Sequence, residues 1–273
     1  RSIKASIRRN SGYMARKEIE RIVTQISVDG EQRLEPYGFK VYSQGDEDGI
    51  LEEIFCRLDI KKGAFAEIGV QDGLECNSLY LLHKGWRGCW IEGDKKFQEK
   101  IQKKFRSLLI KKQLRVAFGL VFPNNVNETF DTLGVDNDLD LLSIDIDGND
   151  VYVWQALKVK PKVVCIEYNA KFPPNISKKP VFSTRNFWKG GDYMGSSLLA
   201  LVEVGVDKGY QLVATSITGS NAFFVRKDLL KGKFPKDGSP ESLYNPPRYH
   251  LVHDHFSQIG HRPDFGPYVD LEE

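Results

Sequence analysis

The sequence predicts an α/β fold: a Rossmann-like, seven-stranded, mostly parallel sheet with helices on both faces and an antiparallel final hairpin. Three observations predict it. From Ala64 onward, short apolar runs alternate with stretches of helical periodicity, the pattern of a parallel sheet covered on both sides. Two of those runs end in an acid followed by glycine, A-F-A-E-I-G-V-Q-D-G at 64–73 and C-W-I-E-G-D at 89–94. The last two runs lie close enough together to form a hairpin. At 273 residues the chain suits one domain with appendages better than two equal domains.

Taken in order, Met14, Ile19, Ile22, Val23 and Ile26 recur at helical spacing, and so do Ile50, Leu51, Ile54, Phe55 and Leu58. The stretch between them, Y-S-Q-G-D-E-D-G at 42–49, offers Asp46 or Asp48 as a helix cap, or a loop that folds over a ligand. Strands are expected at 64–69, 87–92, 114–121, 139–145, 162–168, 210–216 and 221–227. Between them, Phe97, Ile101, Phe105 and Leu108 mark one helix face, and Val151, Trp154 and Leu157 another. A last helix runs from about Ser196 and stops at Lys208-Gly209. These boundaries give an N-terminal helical arm at 1–45, a ligand-binding domain at 46–228, and a tail at 229–273 that packs on or near the site. The segment 170–194 is a proline- and aromatic-rich insert carrying Phe172, Phe182, Phe187, Trp188 and Tyr193, and long loops of this kind commonly act as lids or substrate walls.

Bulk properties exclude several classes. A formal net charge of +2 is too small to argue for nucleic acid, although the N-terminus is locally basic. No apolar run is long enough for a membrane span and no secretory h-region is present. Cys56, Cys76, Cys89 and Cys165 have no C-x-x-C spacing and sit in apolar contexts, which fits a reducing, cytoplasmic setting. The chain opens on Arg1 rather than Met, as a piece of a longer polypeptide would. A homo-oligomer is compatible with the sequence.

The strand ends carry the chemistry. Glycines at Gly69 and Gly73 would let a ligand approach the backbone, and a carboxylate roughly 20 residues further on, Glu92, is placed to accept ribose hydroxyls. A dinucleotide turn needs a further glycine where Gln71 stands, and Asp72 would face the pyrophosphate. A phosphate-free nucleoside with a sulfonium and an amino-acid tail suits the turn better. The fourth strand ends in S-I-D-I-D-G-N-D at 143–150 and the fifth in Glu167-Tyr168-Asn169. In a parallel sheet these ends share one edge, so oxygen ligands converge there, a set suited to Mg²⁺, Mn²⁺ or Ca²⁺. The alternative is that Asp147 and Asp150 cap the next helix while Glu167 holds a backbone amide or a substrate hydroxyl.

The pattern E-x-G-x-x-x-G resembles motif I of class I S-adenosylmethionine-dependent methyltransferases. With W-I-E-G-D and L-S-I-D-I-D-G-N-D, it resembles the FkbM-related members, and the later acids are similar to those of metal-dependent O-methyltransferases of the macrocin and catechol types. The resemblance covers roughly residues 42–227. Gln71 departs from the commoner glycine of motif I, and Tyr168 separates two residues that are adjacent in the catechol type.

The resemblance implies an S-adenosyl-L-methionine site built from Gln44, Asp48, Glu67, Gly69, Asp72, Gly73, Asn77, Ser78, Glu92 and Asp145. It implies a Mg²⁺ or Mn²⁺ site at Asp145, Glu167 and Asn169, with Asp147 a fourth ligand. The expected reaction is O-methylation of a small-molecule or glycan acceptor with free hydroxyls, a nucleotide-linked sugar or polysaccharide precursor. Asp147, or a tail histidine such as His253, is the expected base. His250 and His255 are the other tail histidines that could take that role if the tail folds over the site. A non-catalytic nucleotide-sugar-binding module on the same sheet is the alternative. A nicotinamide-dependent oxidoreductase is disfavoured by Gln71 and Asp72.

Overall fold

The computed structural model describes residues 3–29, 32–185, 188, 190–251 and 265. His253, His255, His261 and Phe187 lie outside them. The seven strands are β1 Ala64–Ile68, β2 Arg87–Glu92, β3 Leu114–Phe118, β4 Leu141–Ile144, β5 Val163–Glu167, β6 Tyr210–Thr215 and β7 Asn221–Arg226. They form one sheet in the order β3-β2-β1-β4-β5-β7-β6. The first five are parallel, and β7 runs antiparallel between β5 and β6. The order reverses direction between β1 and β4, which opens a crevice at the carboxyl ends of those strands.

The helices are α1 Ile3–Asp29, α2 Glu47–Leu58, α3 Leu79–His83, α4 Gln98–Lys104, α5 Arg106–Ile110, α6 Val126–Leu133, α7 Asp150–Ala156, α8 Leu198–Asp207, α9 Pro240–Leu243 and α10 Tyr249–Leu251. Strand alternation gives the sheet two apolar faces. Ala66 and Ile68 join Phe130, Trp154, Leu201 and Phe224 on one face, while Phe65 packs with Ile54, Leu82, Trp90 and Phe105 on the other. The N-terminal helix α1 docks through Ala15 and Ile22 onto Ile217 and Leu251. Phe265 of the tail rests on His83 and Phe105, with ring centroids 4.9 and 5.0 Å apart.

Several sequence expectations shift. The third strand ends at Phe118 rather than 121, because the four residues after it turn away to line the crevice. Asp46 occupies the N-cap of α2 but makes no side-chain cap bond; its carboxylate accepts instead from the Ile217 N–H at 3.0 Å. Asp48 is no cap either. One of its oxygens accepts from the backbone of Val41, Tyr42 and Ser43 and so closes the loop before the helix. Three of the cysteines are buried, but Cys56 is exposed. Among the described residues no helix is long and apolar enough to cross a membrane.

Candidate functional site

At the carboxyl edge of the sheet, the ends of β1, β2, β3 and β4 border a small cleft that is partly open to solvent. Its walls are Ile68 and Gly69, Ile91 and Gly93, the Gly119–Phe122 segment, Ile146 and Asn149, and Thr184 from the insert. Gly119, Leu120, Val121 and Phe122 were missed as site residues. Their unbroken apolar run reads as strand, and Gly119 followed by Pro123 was the available sign that the strand stops earlier.

The turn after β1 is held by protein contacts. A Cβ on Gly69 would lie 1.7 Å from the Asp145 carbonyl oxygen, and one on Gly73 would lie 2.6 Å from the Trp90 ring. The first position has φ +88° and the second +77°. Neighbouring protein atoms alone require glycine at both positions. Gln71 between them adopts the left-handed region at φ 51°. Its N–H donates to Glu92 at 2.6 Å, and the other Glu92 oxygen accepts from the Asp94 N–H at 2.7 Å. Burial raises the Glu92 carboxyl above its ordinary range. Glu92 thus ties the β1 and β2 turns together between two cleft-lining residues.

Glu67, Asn77 and Ser78 form an internal network and do not line the cleft. Glu67 accepts from the N–H groups of Asn77 and Ser78, at 2.8 and 3.0 Å, and from the Ser78 hydroxyl. Trp90 donates to that hydroxyl at 2.7 Å, and Asn77 donates to Ser143. A carboxylate this deeply buried needs such donors; without them its pKa, already raised by burial, would climb further. Asp72 accepts from the Leu74 N–H within the turn, and Gln44 is exposed on the loop before α2.

Beside the cleft, Asp145, Asp147 and Glu167 each bring one oxygen to within 4.8 Å of the others. Burial, then the neighbouring Asp147 and Asp150, hold Asp145 well above the usual carboxylate range. Burial, then Asp145, Asp150 and Asp147, do so for Glu167, and burial raises Asp147. Glu167 is 9% exposed, and its Oε2 is buried with no hydrogen-bond partner. Asp150 organises the loop: its two oxygens accept from the N–H groups of Ile146 and Gly148, both at 2.8 Å. That closure lets Asp147, at φ 58°, turn its side chain toward the cluster.

Asn169 follows Glu167 by two residues and is held by the insert. Its amide donates to the carbonyls of Asp192 and Met194, and its oxygen accepts from the Lys171 N–H. Asn169 therefore anchors the insert, and Asp147, expected as a fourth ligand, lies with Asp145 and Glu167. The insert reaches the cleft through Asn149, which donates to the Ser183 carbonyl at 2.8 Å, and Tyr152, which donates to the Pro180 carbonyl at 2.7 Å. Phe182 packs edge-on against Tyr152 and Phe122. His250 lies near α1, where with Arg248 it adds to the effect of Arg21 in lowering the Glu18 carboxyl.

No family model matches the chain, and no curated protein matches it. Solved structures show partial likeness. The N-terminal domain of EvdMO1, determined in the presence of SAH and D-fucose, aligns at 13% identity over 77% of this chain and 94% of its own, with a TM-score of 0.44. An O-methyltransferase family protein from Burkholderia thailandensis aligns at 9% identity over 66% and 58%, with a TM-score of 0.41. Cofactor-bound Rv0187 from MTB aligns at 14% identity over 63% and 77%, with a TM-score of 0.39.

Proposed function

We propose that this protein is an S-adenosyl-L-methionine-dependent O-methyltransferase that uses Mg²⁺ or Mn²⁺ and acts on a hydroxyl of a sugar, nucleotide-linked or in a polysaccharide precursor. The observation that carries the reading is the adjacency of two features at one sheet edge. A cleft with an apolar wall at Gly119–Phe122 runs past the Glu92 turn, and three unpaired carboxylates stand beside it. The first suits a nucleoside. The second suits a polar acceptor with a hard cation.

The donor set fits such a cation. Asp145, Asp147 and Glu167 offer only oxygen, receive no hydrogen bond from the described residues, and repel one another without a positive charge between them. When bound there, the cation would supply Lewis acidity toward an acceptor hydroxyl. The chain's own residues do the rest. The apolar wall and the Glu92 turn would hold the nucleoside, and the insert at Ser183 and Thr184 would close the cleft against water. In the transfer, the acceptor oxygen attacks the methyl carbon in line as the carbon–sulfur bond breaks, which leaves a neutral thioether. The hydroxyl proton would pass to Asp147, through the carboxylate oxygen turned away from the cation. The insert would form the acceptor's wall, and the three buried thiols fit a cytoplasmic setting.

Calorimetric titration of chelator-treated protein with S-adenosylhomocysteine, repeated with Mn²⁺, tests this. Binding of both ligands is expected. Cofactor binding without Mn²⁺ binding removes the metal from the reading, and no cofactor binding leaves the non-catalytic module in its place.

A further inference from the structure

The segment 95–112 carries eight cationic side chains, Lys95, Lys96, Lys100, Lys103, Lys104, Arg106, Lys111 and Lys112, against one acid, Glu99. The whole chain is only +2, so this stretch of net +7 leaves −5 for everything else. The segregation follows from the helix pattern. Ile101 of α4, Leu108 of α5 and Phe105 between them turn into the core, and every cation of the segment is exposed. Lys96 pairs with Asp94. Lys100, Lys103, Lys111 and Arg106 have no carboxylate partner among the described residues. The basic face begins two residues after Gly93, which lines the cleft with Leu120.

We propose that this face docks on an anionic lipid bilayer and holds the cleft at the headgroup surface. Clusters of four to eight lysines and arginines on amphipathic helical surface suit anionic headgroups, each contributing about 1 kcal/mol, or about fivefold in partitioning. Ile110 sits among the cations at 69% exposure, an apolar side chain placed to enter the interface. A nucleic acid fits less well, since single strands are held by rings that stack on bases. The ring within this face, Phe97, is already covered by the Lys96 and Lys100 ammonium groups, 4.6 and 5.5 Å from its centroid. The inference is independent of methyl transfer.

The test is co-sedimentation of the full chain with phosphatidylserine-containing vesicles and with pure phosphatidylcholine vesicles, at low and high salt. Wild type is expected to pellet with the anionic vesicles only, and to be released by salt. The variant Lys100→Gln/Lys103→Gln/Lys111→Gln should melt as wild type, since these side chains are exposed, and should partition about a hundredfold more weakly. Ile110→Ser should also weaken binding. Failure of wild type to pellet with anionic vesicles, or undiminished binding by the triple variant, overturns the proposal. So does binding of a single-stranded RNA oligomer without vesicle binding, which would reassign the face to nucleic acid.

Discussion

Replacing Gly69 with alanine separates two explanations for a glycine at the end of β1. If the position is open so that a ligand can approach, Gly69→Ala leaves the ligand-free protein intact and weakens binding alone. The structure predicts otherwise. The added Cβ would sit 1.7 Å from the Asp145 carbonyl oxygen and 2.8 Å from its carbon, so β1 and β4 must part by more than an ångström. Two bonds are stretched or lost, Gly69 N–H to the Ile91 carbonyl at 2.9 Å and Asp145 N–H to the Ile68 carbonyl at 3.0 Å, each worth about 1 kcal/mol. The left-handed backbone adds about 1–2 kcal/mol for a residue with a Cβ. The expected loss is about 3–4 kcal/mol, or roughly 6–16 °C in Tm for a chain of this size. Calorimetric melting without any cofactor measures it. A variant melting within about 2 °C of wild type would refute the packing argument and restore the ligand as the reason for the glycine.

Three further outcomes follow from the carboxylates. Burial pushes Asp48 and Asp150 up to about 6 from an ordinary 3.8. Between those values the native state binds more protons than the unfolded chain, so unfolding free energy falls as pH rises through the window, by up to about 3 kcal/mol per group. Denaturant melts in chelator should therefore show lower stability at pH 7 than at pH 5, and a flat or rising profile would contradict the shifts. Glu167→Gln removes a buried charge that nothing pairs, and should stabilise the chelator-treated protein by about 1–3 kcal/mol while abolishing any rise in Tm on adding Mn²⁺; a variant that melts below wild type in chelator and still responds to Mn²⁺ excludes the metal role. Glu92→Gln places an amide donor against the N–H of either Gln71 or Asp94. A stability loss of about 1–3 kcal/mol is expected, with weaker S-adenosylhomocysteine binding by calorimetry, and unchanged affinity would remove Glu92 from the cofactor site.

The sheet was legible in the sequence because its strands are buried on both faces and read as apolar runs between helical patterns, as Phe65–Ile68 and Val163–Ile166 do. The acids at the ends of β1, β2, β4 and β5 were legible for the same reason, each closing such a run. Which neighbour each residue meets was not legible. Gly69 was marked as special, but the Asp145 carbonyl that crowds it comes from 76 residues away. That the Asn169 amide would also hold the insert, through the carbonyls of Asp192 and Met194 some 25 residues on, could not be read from its place beside Glu167. The cleft wall at Gly119–Phe122 was hidden because apolar residues that line a cavity and apolar residues that fill a strand are the same residues.

Hydrogen bonding divides the buried acids at this edge into two kinds. Glu67, Asp48 and Asp150 each accept from two or three backbone N–H groups, and the loops they close would open if those acceptors were lost. Among the described residues no donor reaches the side chains of Asp145, Asp147 or Glu167, and no lysine or arginine pairs with them. Carboxylates crowded together in that way, Glu167 buried and Asp145 and Asp147 half-buried, are unfavourable to the free protein, since partial desolvation and mutual repulsion act together. The first kind is explained by the fold alone. In the proposed reading a cation from outside the chain would offset the repulsion in the second kind, and it is the absence of donors, more than the presence of acids, that sets this cluster apart from the loop-closing carboxylates.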